Sequence, residues 1–430
     1  MYITGWTVAL VALGAVPAMW AQERTFAWVW VLGVLALACL DALAAPRPRV
    51  LGVRRTVPGS VRLTEQTATV LDVVNTGRRR VRGAVRDAWQ PSAGAFANRH
   101  RLSLPGGDSV RLTTRMQPTR RGDLRADLVT LRIAGPLRLA GRQRSLEVPA
   151  QLRVLPEFAS RKHLPSRLAR LREIDGQTAV QLKGAGSEFD SLREYVIGDD
   201  VRAIDWRATA RRADVMVKTY RPERDRRVMI VLDTSRLSAA RVGDAPRLDA
   251  SIEGSLLLTA LATKAGDRVQ VSAFDRVERA RALGSGGPTV MPSLADALAT
   301  VEPALVEPDW PAIARLVQSR LSQRALVVLL TTLDPSAVDG GLLDTVAAIS
   351  AKHAVLVASV DDPELAQLES ARDDAHDYYA AAAAARTALE SDAIAARVRE
   401  LGAEVVSALP DDLAPAVADR YLALKASGRL

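Results

Sequence analysis

Residues Gly184 to Asp225 read GAGSEFDSLREYVIGDDVRAIDWRATARRADVMVKTYRPERD, and shortly after comes Val228-Met229-Ile230-Val231-Leu232-Asp233-Thr234-Ser235. The second run decides the fold class. An unbroken apolar run ending in polar turn residues is the pattern of a strand buried on both faces, as in a parallel sheet. The rest of the chain alternates in the same way. Further strands are expected at Arg268–Phe274, with Val277–Leu283 as a hairpin partner, and at Ala325–Thr331, Ala354–Val360 and Glu404–Leu409. Helical spacing separates them at Leu248–Ala265, Pro311–Gln323, Leu342–Ala351, Asp374–Leu401 and Leu413–Ser427. Strands alternating with helices predict a doubly wound α/β domain over residues 228–430, with ligands at the strand C-termini.

The first run packs Asp, Glu and Arg around Phe189, Tyr195, Trp206 and Tyr220. One reading is an irregular structural layer whose charges pair internally. The other is a surface recognised by a partner, with Arg193, Glu194, Tyr195, Asp199, Asp200, Arg202, Asp205, Trp206 and Arg207 as contact residues. Trp and Arg are the side chains most often found as binding hot spots.

From Ser187 to Arg236 the sequence resembles the signature of the domain-of-unknown-function 58 family. The resemblance implies a bacterial membrane-anchored protein whose C-terminal half is like a von Willebrand factor A domain. It also implies a MoxR-type AAA+ ATPase as partner. In the metal-binding version of that fold the first strand ends in Asp-x-Ser-x-Ser, a second loop supplies Thr and a third supplies Asp. Oxygen donors of this kind suit magnesium. Here Asp233 and Ser235 are present, Leu237 replaces the last hydroxyl, and Thr332 stands where the third-loop Asp belongs. Thr289 is the candidate second-loop residue, and Arg236 would add positive charge. The set Asp233, Ser235 and Thr289 is therefore a degenerate site, and no cofactor is expected. Without a metal, Asp233 and Ser235 would cap the following turn or bond loop amides.

Upstream, Tyr2–Ala21 and Phe26–Leu40 are uncharged apolar segments, each extendable to the length of a membrane span. The short link Gln22–Thr25 would make them a transmembrane helix hairpin. Arg47, Arg49, Arg54 and Arg55 follow the second segment, against Arg24 in the link, so both termini are expected in the cytoplasm. Residues 47–158 carry short alternating runs separated by turn clusters such as Pro105-Gly106-Gly107-Asp108, the texture of an Ig-like β-sandwich. His100 is isolated within it and reads as a surface residue. The expected organisation is residues 1–46 as two transmembrane helices, 47–158 as the sandwich, 159–227 as linker and signature block, and 228–430 as the α/β domain.

The net charge of +9 does not point to nucleic acid, because aromatics make up 4% of the chain and its 58 basic residues are nearly all arginine. Such an arginine excess reflects codon bias more than phosphate recognition. Membrane lipid is the anionic partner that fits. The single cysteine, Cys39, excludes an intramolecular disulfide and a thiolate cluster. Gly184-Ala185-Gly186 lacks the rest of a phosphate-binding loop, and no Gly-x-Ser-x-Gly elbow occurs. The sequence therefore favours a membrane-anchored scaffold or adaptor over two alternatives. One is a metal-dependent ligand-binding receptor. The other is a hydrolase using the signature-block carboxylates.

Overall fold

The computed structural model describes residues 1–17, 24–181, 188–197, 199–212, 214–221, 226–284, 289–370 and 374–430. The chain divides into two compact units, Met1–Glu157 and Phe158–Leu430.

In the first unit, strand β1 (Tyr2–Ile3) leads into helix α1 (Gly5–Leu13), and α2 (Arg24–Ala44) follows. One stretch, Thr25–Val50, is long and apolar enough to cross a membrane, and α2 is its α-helical part. Its Trp28, Val29, Leu32, Leu40 and Leu43 are exposed, which a core helix of a soluble domain would not tolerate. The first expected span is not matched. Tyr2 and Ile3 are drawn into strand pairing and, among the described residues, the apolar helix covers Gly5–Pro17, about 20 Å at 1.5 Å per residue. Ala18–Ala21 of that segment and Gln22 and Glu23 of the expected link lie outside the described residues. The two helices touch where Trp30 donates its indole N–H to the Leu10 carbonyl at 2.9 Å. A Cβ at Gly14 would collide with that indole ring.

The remainder of the unit is two sheets. One runs β1, β10 (Ala140–Leu155), β9 (Gly122–Ala134), β5 (Val81–Asp87), β7 (Arg99–Leu104), with β3 (Ser60–Arg62) alongside β10. The other runs β2 (Leu51–Thr56), β4 (Thr67–Asn75), β8 (Ser109–Met116), β6 (Ala95–Phe96). Leu51, Leu71 and Val73 of the second sheet pack with Val81, Val85, Leu131 and Ile133 of the first, so the core lies between them. A buried polar hub joins the layers. Asp87 accepts from Arg55 Nη2 at 2.7 Å and from Thr69 and Trp89, each at 3.1 Å. Arg55 is wholly buried in this pair, so it does not belong to the basic flank of the membrane segment. His100 is also not a free surface residue. It is half-buried, 2.9 Å from the buried Thr114 hydroxyl on the facing sheet.

The second unit begins with helix α3 (Leu164–Gln181) and a two-stranded antiparallel sheet of β11 (Glu188–Glu194) and β12 (Met216–Arg221), joined through the short helix α4 (Trp206–Arg212). Next come β13 (Arg227–Asp233), α5 (Arg247–Lys264), β14 (Arg268–Phe274) and β15 (Glu278–Gly284). The remaining strands are β16 (Leu326–Leu330), β17 (Ala354–Val360) and β18 (Glu404–Ala408). The six-stranded sheet has the order β15-β14-β13-β16-β17-β18, with β15 antiparallel to β14 and the rest parallel. Side chains alternate across it. Met229 and Val231 enter a core with Trp310, Ile313, Val346 and Val398. On the other side α5 lies close to the sheet and to helix Pro410–Ala426, with Gly254 facing Leu330 and Leu413. Each fully buried aliphatic side chain here contributes about 1.5–3 kcal/mol.

Candidate functional site

The strand order fixes where a site can be. Chain connections leave β13 towards β14 and leave β16 towards β17, so the topological switch point, where such folds form their crevice, falls between the carboxyl ends of β13 and β16. Asp233 lies at this point, 2% exposed. One carboxylate oxygen accepts from the Ser235 amide at 2.8 Å and the other from the Thr331 hydroxyl at 2.7 Å. Ser235 Oγ accepts from the Leu237 amide at 3.3 Å, capping the turn Arg236–Ala239. Burial raises the Asp233 pKa against these hydrogen bonds, and the nearby Asp275 charge adds to the rise. Asp275 moves the opposite way. Burial pushes it up, but the Arg279 guanidinium and the Arg276 and Val277 amides outweigh that and hold it below its ordinary value.

Arg236 does not face the crevice, because it pairs with Glu307. The cation at the rim is Arg247, at the start of α5, which the sequence reading missed. Its Nη1 lies 3.4 Å from the Thr332 hydroxyl. Burial lowers its pKa, and the charges of Asp362, Asp334 and Asp361 work against that. These acids sit in the loops after β16 and β17, and each already accepts locally. Asp334 takes the Ser336 amide, Asp361 the Ser407 hydroxyl and Asp362 the Glu364 amide.

The donor set does not fit a magnesium ion. Both Asp233 oxygens and Ser235 Oγ are engaged, Leu237 is buried in place of an oxygen donor, and a guanidinium already supplies positive charge. Thr289 precedes helix Val290–Ala299 without a side-chain capping bond. Among the described residues no hydrogen bond joins Thr289 to Asp233 or Ser235. The exposed Asp374 and His376 and the half-buried Asp377 could share an ion by distance, but Asp374 there caps a helix through the Asp377 amide.

The signature block has a different character. Arg193 and Asp199 form a bidentate pair at 2.7 and 2.5 Å, and Asp199 also accepts from the Val196 amide at 2.9 Å. Asp200 accepts from the Arg202 amide. Asp205 caps α4 through the Arg207 and Ala208 amides, each at 3.0 Å, and pairs with Lys218 at 3.2 Å. Its partner is therefore Lys218 and not the Arg207 side chain. The Arg193 hydrogen bond lowers the Asp199 pKa, and the Ala208 amide leads the causes that lower Asp205. Both shifts favour the carboxylate form, so among the described residues Asp199 and Asp205 do not make the unequal pair that acid–base hydrolysis requires. The Tyr195 backbone is tied by its amide to the Val215 carbonyl at 2.8 Å, while the Glu194 side chain is exposed.

Met216 and Val217 of β12 are buried, but several other apolar side chains of the block are exposed. Trp206 is 69% exposed and Ile197 97%, with Val196 and Val201 also exposed. Arg202, Arg207, Arg211 and Arg212 are exposed with them. The side chains of Phe189 and Tyr220, whose backbones pair across β11 and β12, lie outside the described residues.

Residues 191–377 match the model of a family described as "Protein of unknown function DUF58". The DUF58 match takes in most of the signature block and the crevice. Two similar relatives are the Uncharacterized protein Rv1480 of Mycobacterium tuberculosis (strain ATCC 25618 / H37Rv) and the Uncharacterized protein Mb1516 of Mycobacterium bovis. Each is 26% identical over 203 residues, which is 46% of this chain and 63% of the relative, so the chain spans less than two thirds of their length. Among solved structures, the CARDB domain of the PF1109 protein from Pyrococcus furiosus overlaps 24% of this chain and 87% of its own, at 18% identity and a TM-score of 0.19. The human zinc 2-glycoprotein–prolactin inducible protein complex overlaps 25% of this chain and 96% of the matched chain, at 15% identity and a TM-score of 0.21. Overlaps of this size carry no assignment of activity.

Proposed function

We propose that the chain is a membrane-anchored adaptor whose signature block docks a protein partner. The family resemblance implies a MoxR-type AAA+ ATPase for that role. The observation that carries the reading is the exposure of Val196, Ile197, Val201 and Trp206, four large apolar side chains within eleven consecutive residues, on a block whose Asp199 and Asp205 are engaged internally. Large apolar side chains grouped outside a core mark an interaction site. The exposed arginines around them favour an acidic partner surface with an apolar pocket for the indole. The α/β unit is read as von Willebrand factor A-like on its strand order and its antiparallel β15. The misfit of the crevice to magnesium weighs against the receptor alternative.

Anchoring is read from α2. A cleaved signal sequence has no structural tie to the mature fold, whereas Asp41 of α2 accepts backbone N–H groups of Leu137, Leu139 and Ala140 in the sandwich. The pairing of Tyr2 and Ile3 with β10 brings the start of the helical pair to the same strand end as its finish. The span itself is α2, and the sandwich lies on the side where α2 ends. Arg47 and Arg49 at that side favour the cytoplasm.

The test is co-purification from the native host with the full chain and with Trp206→Ala, both checked for thermal midpoint. Loss of an AAA+ ATPase at unchanged midpoint supports the adaptor. Retained capture by Trp206→Ala would overturn the assignment.

A further inference from the structure

The end of α2 is fastened to one β-hairpin loop in a way that the sandwich does not need for its own core. Asp41 lies in the last turn of the helix, where a carboxylate is disfavoured by the helix dipole. It is nevertheless buried, and its oxygens accept from the Leu137, Leu139 and Ala140 amides at 2.7, 2.8 and 3.0 Å. A Cβ at Gly135 would collide with the Asp41 backbone oxygen and carboxylate, so this approach requires glycine. From the first helix, the Thr4 hydroxyl donates to the Arg138 carbonyl at 2.7 Å and the Thr7 hydroxyl donates to the Leu139 carbonyl. On the neighbouring strand, Arg142 donates to the Ala42 and Leu43 carbonyls at 3.0 and 2.9 Å, satisfying the open end of α2.

The loop is thus held at a fixed height on the helix, yet its tip is turned outward. Pro136, Leu137 and Arg138 are exposed, Leu137 at 57%, and Arg138 has a φ of 58°, a left-handed conformation unusual for a side chain of its size. Leu40 and Leu43 of α2 are exposed as well. The 21 residues of α2 extend about 31 Å, close to the hydrocarbon thickness of a bilayer. Asp41 is then about 4.5 Å inside the end of the span, at the boundary between acyl chains and headgroups.

We infer that the loop Gly135–Leu139 is an interfacial anchor, placing Leu137 among the outer acyl segments and the Arg138 guanidinium among anionic lipid headgroups. This rests on the reading of α2 as a membrane span. A leucine at that boundary gains from burial, and an arginine beside it keeps its charge in the polar layer. Asp41 is the positioning residue that sets the depth of both.

The experiment uses the full chain with Cys39→Ser, reconstituted into phosphatidylcholine vesicles containing phosphatidylglycerol. A nitroxide is attached at Leu137→Cys, at Leu32→Cys in the middle of α2, or at Leu305→Cys, all three being exposed positions. Collision with oxygen and with a water-soluble nickel chelate gives the depth of each. The expected ratio of oxygen to nickel accessibility at Leu137 lies between the other two and several-fold above Leu305. Adding Asp41→Ala should return it towards the Leu305 value. A Leu137 ratio equal to that of Leu305, with Leu32 in lipid, overturns the interfacial loop and leaves the anchor standing. A water-like ratio at Leu32 overturns the anchor and the loop with it.

Discussion

The crevice and the signature block lie within one family match and use polar groups in opposite ways. In the crevice the polar groups close on one another: Asp233 on Ser235 and Thr331, Ser235 on Leu237, Arg247 against Thr332. Leu237 and Thr332 stand there in place of two oxygen donors that a magnesium site of this type would use. In the block Asp199, Asp200 and Asp205 are likewise engaged, but among the described residues only Met216 and Val217 of its larger apolar side chains are buried, while Trp206 and Ile197 face outward. The contrast separates two uses of similar residues. On the proposed docking role, the crevice serves the fold and the exposed part of the block serves the partner.

Four measurements would break or sharpen this contrast. The largest effect is expected in the crevice. Asp233→Ala leaves the Ser235 amide and the Thr331 hydroxyl buried without an acceptor, whereas Asp233→Asn keeps one. The alanine variant should be less stable than the asparagine variant by about 2–4 kcal/mol in urea unfolding. Trp206→Ala in the same assay should stay within about 0.5 kcal/mol of the parent protein. Equal losses at both positions would erase the distinction.

The second concerns binding. Trp206→Ala should weaken capture of the docking partner by about 2 kcal/mol or more, roughly thirtyfold, while Asp233→Asn leaves it unchanged. A crevice variant that loses the partner while folded would move the docking site.

The third is pH. The folded protein holds the Asp233 proton to higher pH than the unfolded chain does, because burial raises the folded pKa. Between those two values the unfolded state binds fewer protons, so this group's contribution to stability falls as pH rises. Asp233→Asn lacks that loss. The two proteins should match below the ordinary aspartate range, and the asparagine variant should become relatively more stable above it. A gap independent of pH would show that Asp233 is not perturbed.

The smallest effect is expected from magnesium. Millimolar magnesium should leave the thermal midpoint of the parent protein unchanged. In Arg247→Ala, where Asp334, Asp361 and Asp362 lose their guanidinium, it should raise the midpoint by a measurable increment. A rise in the parent protein that is abolished by Asp233→Ala would restore the metal site.

The sheet was largely legible in the sequence. Val228–Leu232 reads as a buried strand because it is apolar without interruption, and Arg268–Phe274 and Ala354–Val360 occur with the expected bounds. The helix Val290–Ala299 falls where no element was expected, and its Pro292 sits in the first turn, where proline is accepted. The first membrane segment looked complete because hydropathy cannot register that Tyr2 and Ile3 pair with β10.

Composition and period by themselves determined the strands, the long apolar helix and the loss of oxygen donors at Leu237 and Thr332, because those properties belong to single residues and their near neighbours. Only the tertiary structure decided that Arg247 guards the crevice, that Arg55 is buried against Asp87, that Asp41 fastens a loop at Leu139 and that Trp206 is left outside. Each of these depends on residues distant in sequence meeting or failing to meet, and no local pattern encodes which buried charge finds which partner.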